Sequence, residues 1–325
     1  MKEQDSLNKT RTFTNDKLCT IRQELEAELA DSQYKDAITL IATGSYGRGE
    51  ASDESDLDWF LIFDKDLNPT ETIPDEISRI SKVIARNILN DPGDSQTFGE
   101  NAIVKFSEMQ SNIGGQNDTN QTLTRRLLFL LEGTWLYSES RFKSYRLNLL
   151  EKYIKPDVAQ DQLPYFFLND IIRYYRTMAT DFEYKVVEGG KEWGLRNIKL
   201  RFSRKLLYFG GVIAVAELSG LSHEEKLQRA EDLFNMNTLE RLESVSTATC
   251  EDSTQAALQF YSQFLQELSS PEVRAALSQC TKESRNDCPE YASLRKTSEE
   301  FSKELHNWLQ KKYLLPHQIH HALVF

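Results

Sequence analysis

Residues 43–59 read Thr-Gly-Ser-Tyr-Gly-Arg-Gly-Glu-Ala-Ser-Asp-Glu-Ser-Asp-Leu-Asp-Trp, and this stretch limits the fold more than any other. The apolar run Ala37-Ile-Thr-Leu-Ile-Ala42 comes just before it, and its β-branched content predicts a buried strand. Gly44 and Ser45 close that strand. Ten residues separate Ser45 from Asp56, where carboxylates begin to alternate with apolar residues: Asp56-Leu57-Asp58-Trp59, running on into Phe60-Leu-Ile-Phe63. Successive side chains of a strand point to opposite faces, so Asp56 and Asp58 are expected together on one face of a second strand from Leu57 to Phe63. Neighbouring carboxylates repel unless a cation lies between them. A divalent metal meets that need, and Mg²⁺ favours a few carboxylates with substrate phosphates.

A strand that ends in Gly-Ser and turns into a short helix presents N–H groups and a hydroxyl to an anion. Gly44, Gly47 and Gly49 let the backbone approach it closely. Together these features describe a triphosphate cradle followed by a metal clamp. Residues 40–64 resemble the DNA polymerase beta-like nucleotidyltransferase superfamily, with Ser55 before the first Asp also in keeping. The resemblance implies an α+β fold: a small mixed-sheet nucleotidyltransferase domain, followed here by an all-helical domain. It also implies an NTP substrate, Mg²⁺ or Mn²⁺ held by Asp56 and Asp58, and a triphosphate over Gly44 and Ser45, with Arg48 a further contact.

The length of 325 residues favours two domains, placed at 1–145 and 146–325. Met1-Lys-Glu-Gln-Asp-Ser has no apolar core of a secretory signal, and the longest apolar run, Leu206 to Leu218, is too short to span a bilayer. The cysteines Cys19, Cys250, Cys280 and Cys288 have neither metal spacing nor the density of a disulfide framework. A cytoplasmic protein without a membrane partner is expected. The net charge of −11 argues against a general DNA-binding protein, although a local basic groove stays compatible with it. His317, His320 and His321 cluster near the end and read as a solvated or packed segment rather than a metal site.

Apolar periodicity predicts helices over 15–32 and 75–90, the second stopped by Asp91-Pro92-Gly93. A third strand is expected at Ala102 to Phe106, then a helix capped by Asp118 or Thr119 and running to Glu132. Beyond Tyr137 only helices are expected, near 140–153, 165–186, 195–218, 222–235, 253–268 and 293–313. The superfamily also implies a third carboxylate, acting as base or completing the metal site. Asp118 is the preferred catalytic candidate and Glu108 the second, but an N-cap fits Asp118 equally well.

Trp193 to Tyr208 holds five cations and no acid. Lys199 and Ser203 lie four apart, on one face of a regular helix, with Arg196 a turn earlier; Arg201 and Lys205 pair on another face. Buried cations need partners, either the acids Asp170 and Asp181 or the phosphates of a nucleotide. The resemblance makes Arg196, Lys199 and Ser203 nucleotide-binding residues, with Arg204, Arg173 and Arg176 nearby. The function expected is metal-dependent transfer of a nucleoside monophosphate from an NTP, ATP among them, to a hydroxyl. The protein-modifying uridylyl- and adenylyltransferase branch sets the comparison, and an acceptor protein or small molecule ranks ahead of a short RNA. The rival readings are a nucleotide-binding regulator without turnover, a signalling-nucleotide or tRNA nucleotidyltransferase, and an interaction protein.

Overall fold

The computed structural model describes residues 2–90 and 97–324, so the expected stop at Asp91-Pro92-Gly93 lies outside the described residues. The chain divides into two compact units. One comprises Asn8–Lys152; the other runs from Tyr153 onward and includes the first residues up to Leu7.

The first unit opens with helix α1 (Lys2–Leu29), which starts well before the predicted one. Strand β1 (Ile38–Thr43), the single-turn helix α2 (Gly44–Arg48) and strand β2 (Asp58–Phe63) follow. Then come α3 (Pro69–Thr72), α4 (Pro74–Asn87), β3 (Ile103–Val104), α5 (Phe106–Gln110), α6 (Asn120–Leu131), β4 (Thr134–Tyr137) and α7 (Glu139–Tyr153). The sheet order is β3-β2-β1-β4. β1 is antiparallel to β2 from Ile38↔Phe63 to Thr43↔Asp58, and antiparallel to β4. β2 and β3 are parallel, which makes the sheet mixed as expected.

One face of this sheet is easily derived. Leu40 and Ala42 of β1 join Leu57, Trp59, Leu61 and Phe63 in a core closed by Leu18, Ile21, Leu25 and Leu29 of α1 and Ile80, Val83 and Ile84 of α4. The other face carries Ile41, Phe60 and Ile62, also fully buried, and α6 packs against β1. Burial on both sides explains why β2 reads as a continuous apolar run after its first residue. Because Leu57 and Trp59 belong to the α1/α4 core, alternation directs Asp56 and Asp58 to the opposite face.

Two local readings need correction. The third strand shrinks to two residues, because the chain turns helical at Phe106. β4 was not foreseen, since four residues directly after a buried helix carry no turn signal of their own. Of the two expected caps for α6, Thr119 serves, its hydroxyl accepting from Thr122 N–H at 3.1 Å.

The second unit is helical. It contains α8 (Tyr165–Val187), α9 (Trp193–Lys199), a π turn (Leu200–Arg204), α10 (Lys205–Ala216), α11 (His223–Asn235), α12 (Thr238–Ser244), α13 (Glu251–Leu268), α14 (Pro271–Gln279), α15 (Pro289–Lys312) and α16 (Gln318–Ala322). The single helix expected over 195–218 is therefore interrupted at the π turn, and α12, α14 and α16 are additional. No helix among the described residues is long and apolar enough to cross a membrane.

Candidate active site

The site is built on the turn between β1 and β2. Gly44 adopts φ +67°, a conformation open to glycine, and a Cβ there would lie 2.6 Å from Asp58 Oδ2. The missing side chain at position 44 is what lets the Asp58 carboxylate rest on the turn. Gly47 is needed for a different reason: a Cβ would come within 2.2 Å of the Glu132 carbonyl oxygen. The turn is closed by Glu50 N–H on Ser45 O at 2.9 Å and Gly49 N–H on Tyr46 O at 3.2 Å. Thr14 of α1 accepts from Ala51 N–H at 3.0 Å, and Ser55 accepts from Ser52 N–H at 3.0 Å. These two contacts shape the loop that delivers Asp56, so Ser55 acts as a turn closer.

Asp56 and Asp58 are both partly buried, and Asp58 opens β2 while Asp56 lies two residues before the strand. Tyr46 of the turn lies near Asp53 and Asp56. Burial, and then the charges of Asp53 and Asp56, push its phenol up to about 12. The sign follows directly: the neutral phenol is favoured in the folded state, so its contribution is complete below the ordinary value near 10. It is lost as pH rises through about 12. Tyr46→Phe is therefore expected to flatten the fall of stability above pH 10, measured by urea unfolding of both proteins across that range.

The residue that sequence reasoning missed is Glu132. It ends α6, and its wholly buried carboxylate accepts from Gly44 N–H at 2.9 Å and from Arg48 Nη1 at 2.5 Å. Arg48 Nε also donates to Glu50 Oε1 at 2.6 Å. Arg48, expected as a phosphate contact, is thus held between Glu50 and Glu132 in the buried floor of the turn. Likewise the Gly44 N–H, expected to face an anion, is given to Glu132, and Ser45 is the half-exposed residue that follows. One signal was present in the sequence: an acid at the C-terminal end of a helix opposes the helix dipole and needs a cation to hold it. Gly47→Ala drives a methyl group into this floor and is expected to destabilise the unit by about 1–3 kcal/mol, read as a drop in the urea midpoint.

Asp118, the expected third carboxylate, forms a two-pronged pair with Arg126 at 3.0 and 2.9 Å, with both side chains wholly buried. It also accepts from Gly114 N–H at 2.9 Å, tying down the Gly-Gly loop. This is the geometry of a structural clamp. Glu108 is exposed on α5. In the helical unit, Arg196 is exposed, Lys199 is half-buried, and the buried Ser203 accepts from Tyr261 hydroxyl at 3.2 Å.

Residues 18–95 match the nucleotidyltransferase domain family. This is a domain of the polymerase beta-like superfamily. The matched part of the nucleotidyltransferase domain holds β1, the Gly-Ser turn, β2 and α4; Glu132, β4 and the helical unit lie beyond it. Comparison with curated proteins gave no match.

Whether the residues suit a divalent metal is decided by their chemistry. Among the described residues there is no group of three or more His, Cys, Asp and Glu side chains placed to hold an ion. Asp58 supplies a carboxylate against the turn, and Asp56 is a second carboxylate two residues before it. Two carboxylates completed by phosphate oxygens and water form the donor set that Mg²⁺ prefers, so the fit is to a metal that arrives with a nucleotide.

Proposed function

We propose that the nucleotidyltransferase domain moves a nucleoside monophosphate from an NTP to an acceptor hydroxyl, releasing pyrophosphate. The observation that carries this reading is the contact between Gly44 and Asp58, which brings a carboxylate against the Gly-Ser turn. The acceptor oxygen forms a bond to the α-phosphorus while the bond to the bridging oxygen of pyrophosphate breaks, and the hydroxyl proton leaves to solvent. A divalent ion held by Asp56 and Asp58, Mg²⁺ or Mn²⁺, would lower the acceptor's pKa and neutralise charge on the phosphates.

The protein's own residues contribute positioning. Glu132 and Arg48 fix the turn from below, Tyr46 remains a neutral neighbour of Asp56 at physiological pH, and Ser45 offers a hydroxyl to the phosphates. Asp118 and Glu132 are read as positioning residues, each already engaged by an arginine. Arg196, Lys199 and Ser203, suggested by the family resemblance alone, lie in the other unit, where Ser203 is buried against Tyr261, and they are not carried into this reading. A protein or small-molecule acceptor in the cytoplasm, where NTPs are supplied, is favoured over RNA because the chain is acidic.

The test is incubation of the full chain with each NTP labelled at the α-phosphate, in a cell extract supplying acceptors. Transfer of label to a macromolecule or small molecule with release of pyrophosphate is the expected result. Nucleotide binding without either product would replace this reading by that of a nucleotide-responsive regulator.

A further inference from the structure

The cations of residues 193–208 require an explanation in a chain of net charge −11. The acids expected to balance them are engaged on their own helix: Asp170 pairs with Arg173 at 2.6 Å and Asp181 with Lys185 at 2.7 Å. Arg201 Nε donates to Asn197 Oδ1 at 2.7 Å, and the Tyr291 hydroxyl donates to the same oxygen at 3.0 Å. Lys205 Nζ donates to Ser302 Oγ at 2.5 Å. Among the described residues no carboxylate pairs with Arg201, with Lys205 or with the exposed Arg176.

Two tyrosines stand beside these cations. Tyr175 of α8 and Tyr208 of α10 stack with ring centroids 4.6 Å apart and planes inclined by 20°. Burial raises both phenols, while Arg201 acts on Tyr175 and Arg176 on Tyr208 as neighbouring positive charges. Both hydroxyls therefore stay protonated and able to donate. Burial, and then Arg201, hold the Lys205 ammonium below its ordinary value. Cations partly removed from water beside one another are unfavourable until an anion joins them.

The π turn explains how they come together. Its wider i→i+5 winding changes the phase of the helix between Lys199 and Lys205, so the regular-helix pairing of Lys199 with Ser203 does not carry through. Ser203 is turned to Tyr261 inside the bundle, while Arg201 lies near Tyr175 of the stacked pair and Lys205 lies near Arg201.

We propose that Tyr175, Arg176, Arg201, Lys205 and Tyr208 form a phosphate-binding site of the helical unit, taking a ligand with a diphosphate or polyphosphate group. Several positive charges and two neutral phenol donors match a group with more than one negative charge and many acceptor oxygens. The guanidinium of Arg201 suits such oxygens in particular. The site lies within one unit and does not depend on the transferase reading.

The experiment is calorimetric titration of the full chain with inorganic pyrophosphate and with ATP, without divalent metal. Both are expected to bind. Arg201→Gln/Lys205→Gln is expected to weaken pyrophosphate about 100-fold, at about tenfold for each charge-assisted contact. Arg196→Gln/Lys199→Gln and Asp56→Asn/Asp58→Asn are expected to leave pyrophosphate affinity unchanged. Equal affinities for pyrophosphate and ATP would show that the phosphates alone are recognised, and tighter ATP that the nucleoside also contributes; each supports the site. Failure of the wild type to bind either compound, or loss of binding in the Arg196/Lys199 variant instead, overturns it. Should the Arg201/Lys205 variant not fold, acylation of Lys205 in the wild type, mapped by mass spectrometry, is to be slowed by pyrophosphate; no protection overturns the site. Loss of label transfer in Asp56→Asn/Asp58→Asn alongside intact pyrophosphate binding would separate the fate of this proposal from that of the transferase reading.

Discussion

Asp56→Asn/Asp58→Asn is expected to abolish label transfer, by about 10³-fold or more, while urea unfolding still shows a cooperatively folded protein. Asparagine keeps the size of each side chain and removes both charges. In the free protein Asp56 lies near the Tyr46 phenol together with Asp53, so its charge has a like-charged neighbour. Neutralising Asp56 relieves repulsion at that end of the loop. In the reacting complex the same carboxylates face phosphate oxygens, and only a bound cation makes that arrangement favourable. Activity and stability should therefore move independently. Transfer by the variant within tenfold of wild type, at equal protein and Mg²⁺ concentration, would remove these residues from the chemistry.

The second large effect is on stability. Glu132→Ala is expected to cost about 3–5 kcal/mol, because it takes a carboxylate from a buried arginine and leaves the Gly44 N–H without this acceptor. The native contacts at stake are the 2.5 Å pair with Arg48 and the 2.9 Å bond from Gly44. A substitution of both partners, Arg48→Met/Glu132→Met, is expected to recover a large part of that loss, since it removes the stranded charge as well as the pair. Urea unfolding followed by circular dichroism would read both. If Glu132→Ala were as stable as wild type, the turn would not depend on this buried pair.

The two effects also show what can be read from the amino-acid order. The strand, the Gly44-Ser45 turn and the strand opened by Asp58 were legible because strand alternation and turn chemistry act over a few neighbouring residues. Asp118 and Arg48 were misjudged for the opposite reason. Both have the composition of a site residue, yet their partners, Arg126 and Glu132, are fixed by packing at a distance along the chain that no local period reports. β4 was lost because Thr134-Trp-Leu-Tyr137 gains its strand character from β1, through the pairings of Ala42 with Thr134 and Ile41 with Trp135. The helical unit was legible in its long amphipathic members. The shorter α12 is marked by the Asn237–Glu240 capping box, which was readable in the sequence and was passed over.

The π turn at Leu200–Arg204 has one more consequence. Each residue of a regular helix advances the side chains by about 100°, so one residue accommodated in a wide turn rotates everything beyond it against everything before it. The same string of basic residues can then offer different faces depending only on how many residues the turn holds. Removal of a single residue there would restore a regular helix and exchange the cations facing the tyrosine pair for others. In this unit, residue count is thus a selector of chemistry, and length variation within that turn would alter ligand preference without changing the identity of any charged side chain.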